Sequence, residues 1–165
     1  AAHCVPKGSA KLRIVAGEYN LADKESEDRQ ERIVARAHRH PQYNRKYVDN
    51  DIALLKLEQP LVLTTKVWPA CLPDQDEELD AETNATILGW GATRYLRNQD
   101  GKPQVERDDM LREARVPVVD FAECKQSYGD DLKTYNVVCA GYKEGQIDSC
   151  AGDSGGPLLV QKDSR

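Results

Sequence analysis

The chain has 165 residues, with 23 Lys plus Arg against 28 Asp plus Glu, a formal net charge of −5, 39% hydrophobic and 6% aromatic residues. That length is one domain's worth, and a compact fold of this size buries roughly 70% of the surface its unfolded chain exposes, so a core can form without metal or disulfide staples. Charges of both signs run along the whole chain, which excludes a basic nucleic-acid stripe and a polybasic membrane anchor, and no apolar run approaches the ~18 residues of a membrane span. No charged n-region followed by an apolar h-region opens the chain, so a secretory signal has been removed or was never included.

In chain order, β-prone runs are expected at Leu12 to Ala16, Arg32 to His40 and Asp51 to Leu57. The stretch from Asp74 to Glu82 carries six carboxylates in nine residues and reads as a solvated connector between two halves. Beyond it come strands at Ala85 to Trp90, Leu111 to Val119, Val137 to Ala140 and Pro157 to Gln161, separated by polar or Gly/Pro-containing turns as in a sandwich or barrel. The polar stretch Thr93 to Asp109 reads as a loop that exposes Arg94, Arg97, Lys102 and Arg107 to cleavage after basic residues. One helix is expected at Phe121 to Tyr128, with Asp120 as cap, Glu123 three residues on and Gly129 closing the end. No internal repeat or low-complexity tract is visible.

Five cysteines stand at Cys4, Cys71, Cys124, Cys139 and Cys150. None forms the paired CxxC knuckles of a zinc site, and an odd count implies a partner outside this sequence. The abrupt start at Ala1 and the stop soon after the apolar run Pro157 to Val160 suggest a piece of a longer protein.

The most informative motif is Asp148-Ser149-Cys150-Ala151-Gly152-Asp153-Ser154-Gly155-Gly156-Pro157. A serine flanked by glycines has no neighbouring side chains to block a substrate, and its backbone can take positive φ so that N–H groups converge beside Oγ, as a nucleophile with an oxyanion hole requires. The bland reading, a Gly-rich turn with an incidental serine, is weakened by the length of the string. A serine nucleophile needs a base, and the base an orienter. Only His3, His38 and His40 are available. His38 and His40 share a strand face but lack a third ligand, and read as a solvated edge. Asp51 opens the apolar run Ile52 to Leu57, where a carboxylate is expensive unless hydrogen-bonded, and a histidine is a suitable partner.

Ala1-Ala2-His3-Cys4, Asp49-Asn50-Asp51-Ile52-Ala53-Leu54-Leu55 and Gly152-Asp153-Ser154-Gly155-Gly156-Pro157, in the chain order His, Asp, Ser, together resemble the chymotrypsin/trypsin-like serine protease family. Gly89-Trp90-Gly91 and Cys71-Leu72-Pro73 extend the likeness over essentially the whole chain. The resemblance implies an all-β fold of two antiparallel six-stranded β-barrels with one short helix, incomplete at both ends: residues 1–73 in the first barrel, 74–82 as connector, 83–165 in the second. It implies a serine endopeptidase, activated from a zymogen and secreted, hydrolysing peptide bonds after Arg or Lys in protein or peptide substrates, with protein inhibitors as further partners. The fragment alone is expected to be inactive.

Residue by residue, the resemblance makes Ser154 the nucleophile, His3 the general base and Asp51 the buried carboxylate that fixes the His3 tautomer. The N–H groups of Gly152 and Ser154 would form the oxyanion hole, and Asp153 would pair with the N-terminus freed on activation. Asp148 would lie at the base of the primary specificity pocket as a buried carboxylate selecting a cation, with Ser149 adding a hydrogen bond. Ala151 departs from the glutamine common in the family, a difference that bears on subsites and not on catalysis. Cys124 and Cys139 match the pair that closes the loop around the helix. Cys4 and Cys150 match half-cystines with partners elsewhere, and Cys71 matches the cysteine that tethers a propeptide or light chain. Ala85 and Val160 occupy both positions of a further bridge found in digestive members, so this pattern is closer to regulatory, cascade members.

No cofactor is required for catalysis. Glu18, Asn20, Glu25 and Asp28 resemble a structural calcium loop. Asn84-Ala85-Thr86 is an N-glycosylation sequon at Asn84. Two other classes compete: a noncatalytic homologue acting as a binding module, against which all three triad residues stand, and a calcium-dependent adhesion module, for which only the acidic loops speak.

Overall fold

The computed structural model describes residues 1–6, 11–132 and 136–162. The chain divides into two compact units, Ala1–Glu77 and Glu78–Arg165, with the boundary inside the acidic stretch. It is mostly β and antiparallel, with one short α-helix.

In the first unit β1 (Arg13–Ala16), β2 (Gln30–Arg39) and β3 (Ala53–Leu57) form a three-stranded antiparallel sheet in sequence order. The register pairs Arg13 with Ile33 and His38 with Leu54, and a bulge interrupts β2 between Val34 and Arg36. Gly17 ends β1 at a φ of 73°, where an added Cβ would lie 2.1 Å from the Asp28 carbonyl oxygen. Only glycine lets the β1–β2 loop close so tightly.

The second unit contains β4 (Asn84–Gly89), β5 (Ala92–Arg97), β6 (Pro103–Arg107), β7 (Arg112–Val119), β8 (Cys139–Ala140) and β9 (Leu158–Val160). Strands β8, β7, β4 and β9 form one sheet in that order, while β5 and β6 form a separate hairpin. Ala85, Val116 and Val118 are buried at its core, with Leu79, Ile87, Ala140 and Val160 packed against them. Helix α1 (Phe121–Tyr128) begins where Asp120 Oδ1 accepts the N–H groups of Ala122 and Glu123, and ends at Gly129 with φ 55°, as its cap residues predict. Cys124, on its buried side, is disulfide-bonded to Cys139 on β8.

The expected loop at Thr93 to Asp109 is instead the β5–β6 hairpin. Alternation of polar and apolar residues is absent because the hairpin is exposed nearly throughout, Ala92 being buried at its base. Its turn chemistry sets the pairing: Asn98 Oδ1 accepts the N–H groups of Asp100 and Lys102, and Gly101 supplies a φ of 73°. Arg94, Arg97, Lys102 and Arg107 are exposed, and all but Lys102 lie in the ladder.

Candidate active site

In the first unit, His3 sits in a single 3-10 turn, Ala2–Cys4, anchored by the fully buried Ala2. Arg39 at the end of β2 ties this turn down by donating from Nη2 to the Val5 carbonyl. Asp51 stands two residues before β3 and receives His3 twice. The His3 backbone N–H donates to Oδ1 at 2.8 Å, and ring Nδ1 lies 2.5 Å from Oδ2. The Asp51 side chain is 15% exposed and the His3 side chain 41%, so the pair joins a shielded carboxylate to an accessible ring. Burial pushes the Asp51 carboxyl upward, but the hydrogen bonds and charge of His3 outweigh it and hold the group below its ordinary value. With a carboxylate as acceptor, Nδ1 carries the proton in this bond. Cys4 Sγ lies 3.5 Å from Nε2.

The segment that delivers Asp51 is backbone-strained. Val48 and Asn50 have φ of 50° and 52°, and a β-branched residue rarely adopts that region. The bridge between Asn44 and Asp49, the bond from Asn50 Nδ2 to the Gln42 carbonyl and that from His40 N–H to the Ile52 carbonyl hold the turn in place. Asn50 is of a type that tolerates this region, whereas nothing in the sequence marks Val48 for it.

In the second unit, Asp148, Ser149, Cys150 and Asp153 to Leu158 line an open cavity of about 610 Å³, together with residues of β4, β7 and β8. Ser154 is carried on a tight turn in which Asp153 N–H donates to the Cys150 carbonyl and Gly156 N–H to the Asp153 carbonyl at 2.8 Å. Gly152 and Gly155 have φ of 111° and 86°. Asp148 lines the cavity but is exposed, in contrast to the buried carboxylate expected, and its Oδ1 accepts the Ser149 N–H at 2.7 Å.

Asp153 is built into the backbone around it. Its Oδ1 accepts the Gly91 N–H at 2.7 Å and its Oδ2 the Cys150 N–H at 2.8 Å. A Cβ on Gly89 would fall 1.8 Å from Oδ1, and one on Gly91 2.3 Å from Oδ2. The two glycines that flank Trp90 therefore make room for this carboxylate, a role for which the sequence offered only their spacing.

Two of the four calcium candidates, Glu18 and Asn20, have side-chain oxygens engaged within the chain. Glu18 Oε2 is taken by Arg29 Nε at 2.8 Å, and Asn20 Oδ1 accepts the Ala22 N–H. Among the described residues no group of three or more His, Cys, Asp or Glu side chains could hold a metal. Asn84 is exposed at the first position of β4. Cys71 is an exposed thiol, and Cys150 a half-buried one.

An antiparallel β protein with a doubly bonded His–Asp pair in one unit and a Gly-Asp-Ser-Gly turn on a cavity in the other has the architecture and motifs of a chymotrypsin-like serine protease domain. A family model described as Trypsin matches residues 1–164, and the chain belongs to that family. It is 37% identical over 167 residues to "Serine protease filzig" of Drosophila melanogaster, an alignment covering 98% of this chain and 9% of that protein. It is also 37% identical over 180 residues to "Clotting factor C" of Tachypleus tridentatus, covering 100% of this chain and 17% of that protein. The chain thus spans a small fraction of either relative's length. Among the described residues no helix is long and apolar enough to cross a membrane.

Proposed function

We propose that this chain carries the catalytic residues of a secreted serine endopeptidase that is activated from a zymogen and cleaves after Arg or Lys. The observation that carries the reading is the double hydrogen bond between His3 and Asp51, which fixes the imidazole tautomer that a general base needs. In this mechanism Ser154 Oγ attacks the substrate carbonyl and gives its proton to His3 Nε2. The N–H groups of Gly152 and Ser154 hold the tetrahedral oxyanion, where one donor is typically worth about 3–4 kcal/mol. The intermediate collapses to an acyl-serine as His3 returns the proton to the leaving amine, and water then repeats the sequence to release the acid. Asp51 stays ionised throughout and stabilises the transient imidazolium.

Asp148, lining the same cavity as Ser154, supports selection of a cationic side chain: substrate would shield the carboxylate, and only Arg or Lys compensates that desolvation. Asp153, already held in its backbone cradle, is proposed to receive the N-terminus released on activation. The exposed Cys71 would tether a propeptide or light chain, Asn84 would carry an N-glycan, and protein inhibitors would occupy the substrate cavity.

The test is to activate the full-length protein, react it with a serine-directed phosphonate, and assay Arg-, Lys- and Phe-containing peptide amides. Labelling at Ser154 with hydrolysis after Arg or Lys is expected. Failure to label would favour a noncatalytic homologue, and preference for Phe would overturn the role of Asp148.

A further inference from the structure

The loop between β1 and β2 combines clustered acids with a cation of its own. Arg29 leaves the loop to enter β2, its side chain only 15% exposed, with Nε 2.8 Å from Glu18 Oε2 and Nη2 on Glu31 Oε1. Glu31 Oε2 continues the chain of charges to Arg13 Nη1 at 2.9 Å. The Glu18 side chain is 5% exposed, and its second oxygen, Oε1, is buried without a hydrogen-bond partner. A carboxylate so shielded must have a positive charge against it. The guanidinium is that charge, and its planar fork lets it reach two carboxylates at once, as a compact ammonium does less well. The hydrogen bond to Glu31 chiefly raises the Arg29 pKa, and the bond back from Arg29 chiefly lowers that of Glu31.

Three further oxygens of the loop are turned to its own backbone. Asn20 Oδ1 accepts the Ala22 N–H, the Asn20 carbonyl accepts the Asp23 N–H, and Asp23 Oδ1 accepts the Glu25 N–H. A hard divalent ion needs six to eight such oxygens pointed at one place.

We infer that Arg29 is the resident cation of the 17–31 loop, bridging Glu18 and Glu31 so that this part of the first unit folds without a divalent metal. The inference does not depend on the proteolytic reading and is tested without an activity assay. Melting of the full-length protein is followed in calcium chloride and in EDTA, for wild type and for Arg29→Gln, Arg29→Lys and Glu18→Gln. The wild-type melting temperature should be the same in both media, apart from any calcium response that persists in Glu18→Gln and so arises elsewhere. Arg29→Gln should melt several degrees lower in EDTA and recover in part with calcium, since Glu18 and Glu31 would then require another cation. Arg29→Lys should retain part of the stability in EDTA.

A wild-type calcium shift that disappears in Glu18→Gln would overturn the inference. So would an Arg29→Gln variant as stable as wild type in EDTA, or one that calcium does not help. Should Arg29→Gln fail to fold at all, terbium titration of wild type and Glu18→Gln decides: terbium bound by the first and not by the second refutes a resident guanidinium, and equal signals support it.

Discussion

Asp51 holds His3 by two separate groups, the backbone N–H at one carboxylate oxygen and the ring at the other. The backbone bond fixes where the residue sits and the ring bond fixes which nitrogen carries the proton. Asp51→Asn should therefore preserve the fold and remove the tautomer control. The expected fall is about 10⁴-fold in kcat with little change in KM, a magnitude established for the triad of this family and carried over to this chain. Steady-state kinetics of the activated full-length protein measure it, and a loss under tenfold would discount the assignment.

The same pair sets a pH dependence of stability. The Asp51 carboxyl is held below its ordinary 3.8, so the unfolded chain binds its proton more readily than the folded one. The stabilisation is present above that ordinary value and is lost as pH falls through the lower folded-state value. Urea denaturation between neutral pH and pH ~3 should give a steeper acid loss for wild type than for Asp51→Asn. Parallel curves would contradict it.

Asp148→Ser should leave the Ser154 turn intact, because the Asp148 carboxylate accepts the N–H of its own neighbour, Ser149, at 2.7 Å. Arg and Lys substrates should lose roughly 10²- to 10³-fold in kcat/KM, the scale of an uncompensated charge in a desolvated site, while Phe substrates lose far less. Competition between Arg- and Phe-peptide amides is the direct measurement.

Gly91→Ala places a methyl group 2.3 Å from the Asp153 carboxylate. Its expected cost is about 1–3 kcal/mol from forced repacking, with loss of active-site titration as the Ser154 turn shifts. An Ala at Gly101, where an added Cβ meets nothing within 4 Å but φ is 73°, is the control: it should strain the hairpin and leave the active site unaffected.

The two sheet positions without cysteine offer a complementary test. Ala85 on β4 pairs directly with Val160 on β9. Ala85→Cys combined with Val160→Cys should oxidise to a bridge, detected by mass spectrometry and by a raised melting temperature. Conversely, Cys124→Ser with Cys139→Ser opens a loop of sequence separation 15, and should cost about 3 kcal/mol by the chain-entropy account. Equal stability of this variant would contradict that account here.

Much was legible before any coordinates because it is local. The helix Phe121–Tyr128 is set by the cap residues Asp120 and Gly129, and strands β2, β4 and β7 by runs whose ends shifted only slightly in the structure. The serine motif and the order His3, Asp51, Ser154 likewise reside in contiguous strings. The hairpin Ala92 to Arg107 escaped because its signal lies in turn hydrogen bonds, whereas hydrophobic alternation reports burial, which most of this ribbon lacks.

From sequence alone came the family, the antiparallel β class and the candidates for the reactive groups, since each depends on residue type and short-range spacing. The tertiary structure alone decided that Glu18 meets Arg29 where metal ligation was expected, that Gly89 and Gly91 yield space to Asp153, and that Val48 is held at positive φ beside Asp51. Those outcomes turn on which distant groups come within a few ångströms of each other, and charge pairing and steric exclusion act at that range whatever separates the residues along the chain.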